Sequence, residues 1–157
     1  MPMDAVHPRV LGYLGRALSL ELTAVQQYMT QATLAEAWGD AQAAQRFREE
    51  TREEMHHAET LVQRMLTLGV APAASQLRPA GHGPDLASLL RHDLALEDDL
   101  VNLYAEAARF CALNGDTGNQ QVFEQLRHDE QQHAEELAAW LQSLSIQPAP
   151  LAERATF

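Results

Sequence analysis

Glu54-Met55-His56-His57-Ala58-Glu59 and Glu130-Gln131-Gln132-His133-Ala134-Glu135 place a Glu-x-x-His box at two points of the chain, 76 residues apart. Each box follows another glutamate by 33 residues: Glu21 precedes Glu54, and Glu97 precedes Glu130. The repeat extends beyond the acids. At the same offset Leu18 matches Leu94, Leu20 matches Leu96, Tyr28 matches Tyr104, Phe47 matches Phe123 and Leu61 matches Leu137. Positions i and i+3 share a helix face, so each box aims a carboxylate and an imidazole at one volume. Four carboxylates and two imidazoles in two equivalent sets are what a dinuclear metal site inside a four-helix bundle requires.

The rest of the chain reads as helices. Strand signals are almost absent, and Ala, Leu, Glu, Gln and Arg dominate. Pro8 suits the first turn of a helix running to about Trp38, with Gly39 as terminator. Asp40 caps a second helix ending near Leu68, before Gly69. A third runs from about Pro84-Asp85 to Asn114-Gly115. A fourth starts at Asp116 or Thr117 and runs to about Ser145, after which Pro148 and Pro150 stop any continuation. Glu21 lies 18 residues before Gly39, while Glu54 and His57 lie 15 and 18 after it; Glu97, Glu130 and His133 repeat these intervals about Gly115. All six donors therefore stand at one level, roughly 22–27 Å from the turns.

The segment from Val70 to Gly83 is too long for a tight return. At roughly 3.3 Å per extended residue it can span a helix of about 45 Å, which makes it an end-to-end crossover. The expected fold is all-α: two helical hairpins joined by one long crossover between the second and third helices, the connectivity of ferritin-like bundles. The chain, 1–157, reads as one domain, with the bundle over about 8–145 and a tail over 146–157.

At 157 residues, with 22 acidic and 11 basic side chains and a net charge of −11, the chain is expected to attract cations rather than nucleic acid or anionic membranes. The single cysteine, Cys111, allows neither an internal disulfide nor a thiolate metal site and reads as a small buried residue. No basic-then-apolar leader and no run of about eighteen apolar residues is visible, so a cytoplasmic location is expected.

Carboxylate oxygen with one imidazole per metal suits iron or manganese. By symmetry Glu54 and Glu130 would bridge two metals, Glu21 and His57 would complete one coordination sphere, and Glu97 and His133 the other. Leucines surround Glu21 and Glu97, so these acids are expected inside the bundle, where only bound cations make four facing carboxylates tolerable. Tyr28 and Tyr104, two turns beyond Glu21 and Glu97, are candidates for a hydrogen bond to the site or for a one-electron donor. His56, His92 and His128 read as surface residues, His128 near an iron route. Glu49, Glu53, Asp93 and Asp129 read as solvated acids or secondary cation sites.

The stretches Glu21-Leu22-Thr23-Ala24-Val25-Gln26-Gln27-Tyr28, Glu54-Met55-His56-His57-Ala58, Asp93-Leu94-Ala95-Leu96-Glu97 and Asp129-Glu130-Gln131-Gln132-His133 resemble the four helices of bacterioferritin, in order and over about residues 5–145. The resemblance implies an iron-storage ferroxidase that oxidises Fe(II) with oxygen or peroxide at a di-iron centre. It also implies storage of the mineral in a 24-subunit shell of homodimers, served by a reductase or ferredoxin that releases iron. It further implies that Met55 is an axial ligand to haem b across a two-fold interface, with Leu22, Val25, Gln26 and Met29 on the same face. Two features depart from the family pattern: Arg52, one turn before Met55, and the prolines of the tail, where a short fifth helix normally lines a four-fold channel. The competing readings are a smaller di-iron peroxidase or oxidase without a mineral, and a haem-binding dimer with structural bundle metals.

Overall fold

The computed structural model describes residues 5–146, and the tail prolines Pro148 and Pro150 lie outside the described residues. Four helices account for the architecture: α1 (Pro8–Ala37), α2 (Ala41–Thr67), α3 (Leu86–Leu113) and α4 (Thr117–Ile146). Their ends follow the expected punctuation. Pro8 occupies the first turn of α1, Asp40 caps α2 through Ala43 N–H, and Asp85 caps α3 in a reciprocal box with Ser88. Asp116 accepts from Asn119 N–H at the start of α4. Gly39, Gly69 and Gly115 follow the first three helices with φ of 80°, 82° and 69°, the left-handed conformation that a C-terminal glycine adopts without steric cost.

α1 packs on α2 and α3 on α4 as antiparallel hairpins, with α1 and α3 adjacent. Two apolar clusters fill the bundle. One holds Tyr13, Leu14, Leu61, Leu100, Tyr104, Cys111, Phe123 and Leu126. The other holds Tyr28, Phe47, Leu89, Leu90, Leu96 and Leu137. The buried acids and imidazoles form a layer between them.

The crossover runs along α1 and is fastened at every turn. Ser19 Oγ accepts from Gln76 N–H at 3.1 Å, Thr23 Oγ1 from Arg78 N–H at 3.2 Å, and Gln27 Oε1 from Gly81 N–H at 2.9 Å. Gln31 Nε2 donates to Gly81 O at 3.0 Å. These four residues are spaced i, i+4 on α1, so one polar stripe satisfies backbone groups that would otherwise be unpaired. Gly81 is required where the strap is tightest, because a Cβ there would stand 2.7 Å from His92 and 2.9 Å from Gln27 Oε1.

Candidate metal centre

Each hairpin supplies one glutamate from its first helix and one Glu-x-x-His box from its second, and all six side chains are buried at one level. Glu21, Glu54, His57 and Glu130 form one group of potential ligands. Glu54, Glu97 and His133 form another, joined by Glu50, and in each group the donor atoms lie within 4.8 Å of one another. The two box glutamates are central. Glu54 stands with Oε1 2.8 Å from His133 Nδ1 and Oε2 3.6 Å from His57 Nδ1. Glu130 mirrors it, with Oε1 2.6 Å from His57 Nδ1 and Oε2 3.3 Å from His133 Nδ1. A carboxylate presenting one oxygen to each imidazole has the geometry a bridge between two metals needs.

The outer glutamates are each held by a tyrosine from the opposite hairpin. Tyr104 O–H donates to Glu21 Oε1 at 2.6 Å, and Tyr28 O–H donates to Glu97 Oε1 at 2.7 Å. Glu21 Oε2 and Glu97 Oε2 are left buried without a hydrogen-bond partner, as are both oxygens of Glu54 and Glu130 Oε2. Unpaired buried acceptors cost free energy unless something electropositive sits among them. The hydroxyls hold one oxygen of each outer carboxylate and leave the other free for a cation.

The charge balance points the same way. Burial and repulsion from Glu21 and Glu97 hold Glu54 well above the ordinary carboxylate range, and burial raises Glu97. Glu130 is pushed up to about 8 by burial and by Glu21 and Glu54. Burial also acts to raise Glu21, but hydrogen bonds involving Glu54 and His57 and the His57 charge bring it below its usual value. Against burial, the neighbouring Glu130 and Glu54 carboxylates push His133 up to about 12, and His57 is raised in the same way by Glu130, Glu21 and Glu54. Without metal, protons hold these facing acids together, and cations are able to take the place of those protons.

Two residues read from the sequence as solvated acids or secondary cation sites, the exposed Glu53 and the half-buried Asp129, also meet the imidazoles. Asp129 Oδ2 lies 3.3 Å from His57 Nε2, and Glu53 makes an ion pair with His133 Nε2. They match each other at the 76-residue offset. A carboxylate on one ring nitrogen orients the imidazole and leaves Nδ1 for a metal. Asp93 also differs from its expected solvated state. It is fully buried and accepts from Gln27 Nε2 at 2.8 Å, and burial raises it to about 7. Glu50 was missing from the candidate set. The usable signal was the i, i+4 relation of Glu50 to Glu54 and of Asp93 to Glu97, which stacks each acid over a ligand on the inward face. Glu49 is exposed as expected.

An open cleft of about 420 Å³ between α2 and α4 reaches the imidazoles, lined by Arg52, Glu53, His56, His57, Asp129 and His133 among others. His56, His92 and His128 are exposed, as expected, but His56 rather than His128 stands at this entrance. On the outer α1–α2 surface Met55 is 43% and Met29 54% exposed. Leu22 is half-buried and Gln26 exposed on the same helix, whereas Val25, expected on that face, is buried. The donor sets suit two kinds of iron: hard oxygens and imidazoles inside the bundle, and a soft thioether presented outward from Met55.

Residues 11–146 match the ferritin-like domain. Bacterioferritin from Rhodobacter capsulatus is 40% identical over 127 residues, covering 81% of this chain and 79% of that protein. Bacterioferritin from Brucella melitensis is 36% identical, covering 88% and 86%. Among solved structures, Rhodobacter capsulatus bacterioferritin, described with a metal-free dinuclear site and its haem iron in a crystallographic special position, superposes with a TM-score of 0.86 at 37% identity. That match covers 89% of this chain and 88% of its own.

Proposed function

Because the chain belongs to the bacterioferritins, within the ferritin-like domain family, we propose that it is an iron-storage ferroxidase working as one domain around the bundle. Its centre uses Glu21, Glu54, His57, Glu97, Glu130 and His133, with Glu54 and Glu130 bridging two irons. The observation that carries this reading is the pair of central carboxylates, each offering one oxygen to each imidazole.

Fe(II) is the substrate. Two adjacent ferrous ions deliver two electrons together to oxygen or peroxide, which avoids one-electron release. The chain's own residues supply the rest. The bridging and outer carboxylates stabilise the ferric product by charge. Tyr28 and Tyr104 steady the outer carboxylates, and Glu53 and Asp129 keep Nδ1 of each imidazole turned inward. One imidazole per metal leaves coordination positions for the oxidant. The α2–α4 cleft lets ions reach the imidazole side of the centre, and the net charge of −11 draws cations to the protein. Product iron is stored in an oligomeric shell, which we place at 24 subunits in the cytoplasm, with a reductase or ferredoxin releasing the iron. Among the described residues no helix is long and apolar enough to cross a membrane.

Met55 would hold haem b across a two-fold between subunits. The exposed thioether supports this position. Exposed Arg52, one turn away, is available to a haem carboxylate. Haem bound there would supply a route for single electrons. Replacing Met55 with Leu should abolish haem binding, seen as loss of the haem absorbance from the assembled protein.

Stopped-flow absorbance after Fe(II) addition tests the ferroxidase directly. The parent should oxidise iron faster than buffer alone, and His133→Ala should be slower than the parent. Equal initial rates in the two would replace this reading with one in which the bundle metals are structural.

A further inference from the structure

One half-buried acid breaks the symmetry of the repeat at the centre itself. Glu50 stands one turn before Glu54 on α2, and the residue at the matching place on α4, 76 positions later, is Leu126. Leu126 lies in the apolar cluster. Glu50 instead brings Oε2 to 3.6 Å from His133 Nδ1, with its side chain only 13% exposed. It closes on Glu54, Glu97 and His133 with all donor atoms within 4.8 Å of one another.

Which ring nitrogen an acid approaches separates the acids that orient an imidazole from those that share its metal. Glu53 and Asp129 meet Nε2, on the side away from the centre. Glu21, Glu54 and Glu130 meet Nδ1 of His57, on the side facing it. Glu50 approaches His133 at Nδ1. It therefore belongs with the ligands. Glu50 Oε2, both oxygens of Glu54, Glu97 Oε2 and His133 Nδ1 are all buried without a hydrogen-bond partner, so several unsatisfied groups converge where one cation would satisfy them together.

We propose that Glu50 is an additional carboxylate ligand of the metal position at Glu97 and His133, so that this position binds a divalent cation more tightly than the one at Glu21 and His57 and fills first. The proposal rests on the two-metal reading above. Glu54 belongs to both donor groups, and with Glu130 bridging as proposed above each position also has one outer glutamate and one imidazole, so the added carboxylate of Glu50 is the difference between them. Affinity of an oxygen-rich site rises with the number of charged ligands.

Co(II), which the oxidant leaves unchanged, is a suitable probe. Calorimetric titration of the metal-free assembled protein should resolve two ions per chain in two steps, with dissociation constants separated on the order of tenfold or more. Glu50→Leu installs the residue found at the matching position and should merge the steps into one, still with two ions per chain. Glu50→Gln keeps the side-chain volume, removes the charge and should do the same; circular dichroism verifies that both variants are folded. Two ions per chain with the parent's separation kept in both variants would overturn the role of Glu50, as would a parent that takes both ions in a single step. A parent binding fewer than two Co(II) per chain would instead refute the underlying two-metal centre.

Discussion

The two sides of the candidate centre carry the same donor residues but different neighbours. Beside the His57 side of the centre lie Ala17, Leu103, Ala107 and Leu126, all within an apolar cluster. The residues matching them across the repeat are Asp93, Gln27, Gln31 and Glu50. These make a polar layer in which Gln27 and Asp93 are bonded at 2.8 Å and Gln27 and Gln31 hold Gly81. The difference follows from connectivity. Among the described residues there is one long crossover, and its backbone must find partners on α1. A duplicated ligand set can therefore remain symmetric while the layer beside it answers to the strap outside.

The largest effect comes from a residue both halves share. Glu54→Ala removes the carboxylate common to both ligand groups, so the iron oxidation rate should fall to that of buffer and neither metal should be retained. Glu21→Ala and Glu97→Ala each affect one group, and metal analysis should show loss concentrated at a single position. If all three variants lost both ions equally, the halves would be inseparable.

The pH dependence of the metal-free protein comes next. Glu130 has its folded value raised from 4.5 to about 8, and Glu50 and Asp93 theirs to about 7. The folded chain thus holds protons that the unfolded chain gives up, so this stability is full below the unfolded values and is lost as pH rises through the folded ones. His57 and His133, also raised, act in the same direction. Calorimetric Tm of metal-free protein should fall between about pH 5 and 8, at roughly 2–4 °C per kcal/mol. Bound divalent ions should flatten that decline, because they replace the protons.

A smaller change tests the polar layer itself. Gln27→Leu installs the residue of the apolar end and strands Gly81 N–H and the Asp93 carboxylate, at about 2–4 kcal/mol for the two groups in urea unfolding. Leu103→Gln at the other end buries an amide without partners and should cost a similar amount. The smallest effect is a paired one. Tyr28→Phe and Tyr104→Phe each remove one hydrogen bond to an outer carboxylate, and each should weaken Co(II) binding by about tenfold. A large inequality between them would show that the asymmetry reaches beyond Glu50.

The six buried donor side chains, the three helix turns and the long crossover were legible in the chain because they are local or periodic. Capping residues and terminal glycines act within a few positions, and the 76-residue repeat places its donors at equal distances from Gly39 and Gly115. The tyrosine pair was visible as matched positions, but not the exchange by which each hydroxyl serves the other hairpin's glutamate. That depends on which helices become neighbours. The same holds for Asp93, Glu53, Asp129 and Glu50: composition marks such acids as solvated, and only the approach of α2, α3 and α4 turns them toward an amide, a ring nitrogen or a neighbouring ligand. By itself the sequence determined which side chains face one level of one bundle, since helix periodicity is a property of the chain. The tertiary structure decided which acids meet at the centre, which meet an outward ring nitrogen and which are held beside the crossover, since those placements depend on distances of a few ångströms between helices far apart in sequence.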